Sequence, residues 1–346
     1  MTHRGFASDN YAGVHPDVLA AVAEANVGHE PAYGGDAWSA RAVERFRELL
    51  GEHVEAFFAF NGTGANVTGL QTMLRPWQGT ICAWSAHINV DEGGAPERFL
   101  AGKLITTATP DGKLTPELVR SVYFGKGVEH HVQPRVVSIT QSTEVGTLYS
   151  PDEVRALADT AHEMEMYLHV DGARISNAAA SLGGDVRSFT TDAGVDVMTF
   201  GGTKNGTLGG EAVIIFRPEL ATDYLFIRKQ AMQLNSKMRF VAAQFLALLS
   251  DDLWLHNARH SNAMAQRLYA GVRDVPGVRV TQRVQANSVF AALPPAAIPV
   301  LQEHTNFYVW DEKIHEVRWM CAWDTTEEDV DTFVSVVQDV VPQHAP

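Results

Sequence analysis

From about residue 55 to 216 the chain alternates between short runs nearly free of polar residues and longer stretches with apolar side chains every three or four positions. Residues 56–60, Ala56-Phe57-Phe58-Ala59-Phe60, contain no polar side chain, the pattern of a strand covered on both faces. Comparable runs at 80–83, 103–107, 135–140, 167–170, 195–200 and 212–216 predict further strands. A helix is predicted over 36–50, with Ala40, Val43, Phe46, Leu49 and Leu50 recurring at helical spacing and Gly51 as its stop. A shorter helix opens at His15-Pro16-Asp17 and runs to Ala25. Thr115-Pro116-Glu117 and Ser150-Pro151-Asp152-Glu153 mark two more helix starts, each an N-cap hydroxyl followed by proline at the first helical position. Strands separated by helices give an α/β fold, with a mostly parallel sheet covered on both faces.

The pattern changes after about residue 240. Helical spacing over 240–272 leads into strand-like runs at 278–283, 288–293, 307–310 and 317–323. Thr325-Thr326-Glu327-Glu328 then caps a final helix reaching about residue 341. This predicts a large domain over 1–240, N-terminal segment included, and a smaller C-terminal α+β domain over 241–346, with the boundary somewhere in 235–250. No flexible linker marks it.

Composition narrows the partners. A chain of 346 residues, 45% hydrophobic and 20% charged, has the make-up of a soluble globular protein of about two domains. Its formal net charge of −14 argues against nucleic acid or an anionic membrane as a partner. The first residues lack the apolar core of a signal peptide, and no apolar run approaches the length needed to span a bilayer. Cys82 and Cys321 both sit in apolar runs, which suits buried free thiols and a cytoplasmic location. Two cysteines are too few for a metal site built on cysteine spacing, and no metal is expected.

Candidate chemistry gathers at the ends of the expected strands, where an open parallel sheet places its ligands. The run 195–200 leads into Gly201-Gly202-Thr203-Lys204-Asn205-Gly206. Glycines on both sides let the backbone bring Lys204 close to a flat cofactor, so Lys204 is the candidate Schiff-base lysine for pyridoxal phosphate; an ordinary surface turn is the alternative. Asn61-Gly62-Thr63-Gly64-Ala65-Asn66 passes from strand to helix through small residues and offers free N–H groups to a phosphate. It has neither Walker A nor Rossmann glycine spacing. In His169-Val170-Asp171-Gly172-Ala173-Arg174, the Asp171 carboxylate at a strand end could pair with a pyridinium nitrogen, and Arg174 could hold a carboxylate. A structural Asp–Arg pair is the other reading. His87, in Trp84-Ser85-Ala86-His87, could stack on a cofactor or act in proton transfer, as could His130 or His131 before the 135–140 strand. Gln141, in Gln141-Ser142-Thr143-Glu144, either bonds a cofactor or belongs to a polar turn. Arg318, inside the apolar run Val317-Arg318-Trp319-Met320-Cys321, needs an anion, whether a substrate carboxylate or an internal partner.

Taken in order with the early Ser8-Asp9-Asn10, these stretches make the chain resemble the threonine aldolases over nearly its whole length. The Gly-Gly-Thr-Lys-Asn-Gly sequence looks like the low-specificity and phenylserine-type bacterial branch, where the more familiar branch has Ser-Lys-Gly. The resemblance implies a fold type I (aspartate-aminotransferase-like) large domain, pyridoxal phosphate as cofactor and an amino-acid substrate. It further implies that Lys204 carries the cofactor, Asp171 pairs with its ring nitrogen, His87 stacks on it, and Gly62 and Thr63 hold its phosphate. Ser8, Arg174 and Arg318 would bind the substrate carboxylate. Tyr33, Arg228 and Lys229 would help complete a site shared between subunits of a homodimer or homotetramer, and His130, or His131 one position on, is a candidate acid–base group. One departure stands out: after the 135–140 strand the familiar branch has a Glu-Asn-Thr-His-type sequence, whereas this chain reads Thr140-Gln141-Ser142-Thr143-Glu144. Thr143 replaces the histidine in that reading, so no role at that position transfers. The implied reaction is retro-aldol cleavage of L-threonine, L-allo-threonine or a related β-hydroxy-α-amino acid to glycine and an aldehyde. Competing readings are a β-eliminating lyase or aminotransferase with the same cofactor and, outside enzymes, a phosphate- or nucleotide-binding module.

Overall fold

The computed structural model describes residues 4–100 and 102–345. A seven-stranded sheet forms the frame: β1 (Glu55–Ala59), β2 (Gln78–Ala83), β3 (Lys103–Thr107), β4 (Gln133–Thr140), β5 (Tyr167–Asp171), β6 (Val197–Gly201) and β7 (Glu211–Ile215), in spatial order β1-β7-β6-β5-β4-β2-β3. Strands β6, β5, β4, β2 and β3 pair in parallel, and β7 lies antiparallel to both β6 and β1. Each predicted strand of this sheet is present, within about two residues at either end.

The unbroken apolar runs are explained by burial on both faces. Along β7, Ala212 and Ile214 point into one cluster with Phe46, Leu157 and Phe245, while Val213 and Ile215 point into another with Ala65, Leu70 and Cys82. The period-two alternation of a strand thus falls on two cores rather than on a core and water. The first cluster is covered by the helices Ala37–Leu50, Pro151–Glu163 and Met238–Leu249, the second by Gly62–Gln71. Helix starts follow their caps: the Asp36 carboxylate accepts from Ser39 N–H at 2.7 Å, and Ser150 with Glu153 forms a full capping box.

A second, antiparallel sheet of β8 (Arg279–Val280), β9 (Ser288–Ala292), β10 (Tyr308–Asp311) and β11 (Glu316–Met320) runs in the order β10-β11-β9-β8. It packs with the helices Leu253–Val272, Ala297–His304 and Glu327–Val340 around its own cluster, which includes Trp319 and Phe333. Three sequence expectations are altered here. The helix expected over 240–272 is broken at Ser250–Asp252, where Asp251 and Asp252 take left-handed backbone angles (φ 48° and 55°), a region aspartate tolerates better than most residues. The strand expected over 278–283 keeps regular pairing only at Arg279–Val280, on the edge of the sheet. The helix Met238–Leu249, which straddles the expected boundary, packs into the cluster of the large sheet, while Phe6 from the N-terminus stacks on Phe333 in the small one. Phe6 N–H donates to Asn306 O and its carbonyl accepts from Met320 N–H, each at 2.8 Å.

Candidate active site

Four of the parallel strands, β2, β4, β5 and β6, end along the same edge at Ala83, Thr140, Asp171 and Gly201, and the chain beyond each carries chemistry. Trp84–His87 follows β2, Gln141–Glu144 follows β4, Gly172–Arg174 follows β5 and Gly202–Lys204 follows β6. These segments and β10 and β11 of the small sheet enclose a cavity of about 790 Å³, whose wall includes Ser8, His87, Glu144, Arg174, Lys204 and Arg318. The position agrees with the rule that ligands of open α/β sheets sit beyond the strand carboxyl ends.

Lys204 sits in a short 3-10 turn, Thr203–Asn205, fixed on every side but its own. The Glu211 carboxylate at the start of β7 accepts from Thr203 Oγ1 at 2.7 Å and from Gly202 N–H at 3.0 Å. Asn205 Nδ2 donates to Trp254 O, and Asn257 Nδ2 donates to Asn205 O, both at 2.9 Å. Gly206 then takes φ 104°, which requires glycine. Lys204 itself makes no hydrogen bond to another described residue and lines the cavity. The clamp has a pH signature. Burial pushes the Glu211 carboxyl up to about 7, against the hydrogen bond from Thr203 and the nearby Lys204 charge. Between the ordinary glutamate value of about 4.5 and about 7, the folded protein therefore holds a proton that the unfolded chain has released, so Glu211 costs stability as pH rises through that window. Glu211→Gln is expected to flatten this decline, read as a smaller fall in unfolding midpoint across the window than the parent shows.

Asp171, at the end of β5, is buried and held by three donors: Ala173 N–H at 3.0 Å and Thr199 Oγ1 at 3.4 Å on one oxygen, Asn66 Nδ2 at 2.9 Å on the other. The other hydrogen of the Asn66 amide goes to Glu92 at 2.8 Å, and Glu92 in turn meets His87 Nδ1 at 2.9 Å. One chain of bonds therefore runs from Asp171 through Asn66 and Glu92 to His87. Burial works against a charge on His87, but the bond to Glu92 and the carboxylates of Glu144 and Asp171 outweigh it and hold the imidazole above its ordinary value. His169, on the same face of β5 as Asp171, goes the other way: burial lowers it to about 4, and its Nδ1 lies 2.9 Å from Ser138 Oγ. Gly172 is required for close packing, since a Cβ there would overlap the Thr199 carbonyl.

The carboxylate end is built from both sheets. Arg174 donates from Nε and Nη2 to the two oxygens of Asp9, at 2.7 and 3.0 Å, and both side chains are buried. Asn287 Nδ2 adds a bond to Asp9 at 3.1 Å. Arg318, on β11, lies 4.7 Å from the centre of the Trp310 ring and 5.7 Å from that of Tyr308, and gives one bond to Ala7 O at 3.1 Å. Its Nε is buried without a partner. Burial and the adjacent Arg174 both pull the Arg318 value down, as expected of two cations facing one space. Arg174 is thus already paired with Asp9, whereas Arg318 has no carboxylate bonded to it among the described residues.

The family model of the beta-eliminating lyases matches residues 5–294. A low-specificity L-threonine aldolase of Pseudomonas aeruginosa is 48% identical over 94% of both chains. The chain belongs to the threonine aldolases of the beta-eliminating lyase family. The solved structure of Leishmania major threonine aldolase superposes with a TM-score of 0.92 at 31% identity, over 97% of this chain and 99% of that one. A Thermus thermophilus aspartate aminotransferase shares the fold at 16% identity, with a TM-score of 0.70 over 95% of this chain and 93% of its own, so the fold is type I.

Within this family frame the remaining candidates fall into two groups. Gly62 and Thr63 open the helix Gly62–Gln71, with Asn61 accepting from Gly64 N–H at 2.8 Å; a Cβ on Gly62 would meet nothing within 4 Å, so the turn faces open space. Gln141, by contrast, spends its amide on the backbone of Tyr149, bonding N–H and carbonyl at 3.0 and 2.8 Å, so it serves the polar turn. Thr143 bonds Thr147, and the side chain of that turn which reaches the cavity is Glu144. Tyr33, Arg228 and Lys229 lie outside the cavity wall of their own chain: Lys229 Nζ sits 5.4 Å from the Tyr33 ring centre, and Arg228 is buried against Phe57 with its Nε unpartnered. His130 and His131 precede β4, at the end remote from Thr140; His130 has 82% of its side chain exposed beside Glu129, and His131 packs edge-on against Phe124. Neither lines the cavity of its own chain, so the acid–base candidates there reduce to His87 and the neighbouring carboxylates. Asn66, Glu92 and Asp9 are the participants that sequence reasoning did not assign. Each stands in or beside a motif already singled out, but only the fold gives it a partner.

Proposed function

We propose that the protein is a pyridoxal-phosphate-dependent aldehyde-lyase that cleaves L-threonine, L-allo-threonine and related β-hydroxy-α-amino acids, phenylserine included, to glycine and an aldehyde. The observation that carries this is the convergence of Lys204, His87 and two arginines on one cavity, with Asp171 tied to His87 through Asn66 and Glu92, in a chain close in sequence to a low-specificity L-threonine aldolase. The donor set fits the cofactor: a buried carboxylate fixed by three donors, a glycine turn open at a helix start and an unpaired buried arginine nitrogen. Lys204 would hold it covalently, Asp171 would keep the proton on its ring nitrogen, His87 would lie against its ring, and Gly62 and Thr63 would take its phosphate. When bound, the cofactor supplies the electron sink that lets a bond at Cα break.

The chain's own part is orientation. Arg174, Arg318 and Ser8 fix the substrate carboxylate, which sets which bond at Cα is presented for cleavage. Asn66 and Thr199 keep Asp171 in place, and the Glu92 carboxylate fixes the His87 ring through Nδ1. We read a cofactor domain that extends past the expected boundary of 1–240 to include the helix Met238–Leu249, and a small domain after it, with Phe6–Asp9 strapped across to the latter. A homodimer or homotetramer with shared sites is the reading that would give Tyr33, Arg228 and Lys229, which do not line the cavity of their own chain, a place at a site. Two free buried cysteines, Cys82 and Cys321, suit a cytoplasmic location, and no helix of the described residues is long and apolar enough to cross a membrane.

Incubation with L-threonine tests the reaction directly. Equal amounts of glycine and acetaldehyde are expected. Ammonia with a 2-keto acid would mean elimination, and a keto acid formed only with an amino acceptor would mean transamination; either in place of acetaldehyde refutes the proposal.

A further inference from the structure

We propose that Glu144 is the base that takes the β-hydroxyl proton of the substrate. The proposal rests on the aldolase reading above and names a residue for its proton transfer. Glu144 follows β4, is only 7% exposed, and turns its carboxylate into the cavity between His87 and the two arginines. Its charge is felt at all three, His87, Arg174 and Arg318. Yet it makes no hydrogen bond to any described residue. Most other buried carboxylates of the site are bonded: Asp9 to Arg174, Glu92 to Asn66 and His87, Asp171 to Asn66 and Ala173, and Glu211 to Thr203 and Gly202; Glu316 on β11 alone shares the lack of a partner among the described residues. With no protein donor, the Glu144 carboxylate is free to accept from a group that enters the cavity. A β-hydroxyl is such a donor.

The alternative base is His87, and its surroundings disfavour it. Its Nδ1 is tied to Glu92, and the carboxylates around it hold the imidazole in its protonated form to higher pH than a free histidine. With Nδ1 held by Glu92, only Nε2 of the ring is left to meet a substrate. With Glu144 as acceptor the step balances. The hydroxyl proton moves to a Glu144 oxygen and the O–H electron pair becomes the second bond of the aldehyde carbonyl. The Cα–Cβ bond breaks, with its pair passing into the electron sink. A proton returned to Cα then completes glycine.

The test separates this step from everything before it. Glycine has no hydroxyl, so exchange of its α-hydrogen with deuterium in heavy water, followed by NMR, needs the cofactor, Lys204 and the carboxylate clamp but not the base. For Glu144→Gln the expected result is a fall in kcat/KM for threonine of about 10²–10³-fold. Glycine exchange should stay within about 3-fold of the parent, and Glu144→Asp should recover part of the cleavage. The unfolding midpoint of Glu144→Gln should stay close to the parent's, since the change breaks no hydrogen bond and keeps the side chain's shape. The proposal is overturned if Glu144→Gln cleaves threonine at near-parent rate, or if exchange falls in step with cleavage. It is equally overturned if Glu316→Gln, altering the other unbonded glutamate of the cavity wall, produces the selective loss instead. A parent protein that exchanges glycine but cleaves no β-hydroxy amino acid refutes the aldolase reading and this role with it. A cleaving parent with an unimpaired Glu144→Gln refutes the role alone.

Discussion

Lys204→Ala will abolish threonine cleavage, by on the order of 10⁴-fold or more, the scale seen when a covalent nucleophile is removed. It will also remove the yellow colour that a lysine-bound pyridoxal phosphate gives. The fold should survive, because the turn around Lys204 is held by the bonds of its neighbours, Thr203 to Glu211 and Asn205 to Trp254, and not by the lysine. An absorption spectrum and an acetaldehyde assay on the purified variant, with circular dichroism as the control for folding, check the three statements together. A folded variant with parent activity would remove Lys204 from the chemistry.

The second large effect is structural. Asp9→Ala is expected to cost about 3–5 kcal/mol of stability, because it leaves the Arg174 guanidinium buried without a counter-charge. Burial works to raise the Asp9 value, but the neighbouring Arg174 and Lys204 charges overturn that and keep it below the ordinary aspartate range. The sign of the pH dependence follows: the pair contributes above the unfolded value of the carboxyl and its contribution is lost as pH falls into the acid range. Urea unfolding at neutral pH, compared with the same measurement on the parent, gives the magnitude. A change below about 1 kcal/mol would mean that the pair is not desolvated as its burial implies.

The sheet was legible in the sequence because its strands lie between two cores. Runs such as 56–60 and 212–216 need apolar residues at every position, and that pattern does not depend on knowing the partner strand. The small sheet was harder to read: β8 is an edge of a few bonds, and the Ser250–Asp252 break interrupts a spacing that otherwise continues through the helix Leu253–Val272. At the candidate site, Lys204, Asp171 and Arg174 could be singled out because each stands in a local motif just beyond a strand end, where neighbours in sequence are also neighbours in space. The network behind them could not. Asn66 meets Asp171 across 105 positions and Arg174 meets Asp9 across 165, and neither pairing leaves a trace in local composition. Gln141 was open between cofactor contact and turn for the same reason, since its partner Tyr149 is fixed only when the turn closes.

Phe6 and Asp9 bond to Asn306, Met320, Arg174 and Asn287, so the beginning of the chain is finished by its end. During synthesis at about 5–20 residues per second, Asp9 waits roughly 15–60 s before Met320 is made. Through that interval the strands of the parallel sheet are already made, but Asp9, the partner of Arg174, still lacks its bond from Asn287. A chain clipped before β10 and β11 would therefore keep Lys204 but lose Arg318 and one wall of the cavity.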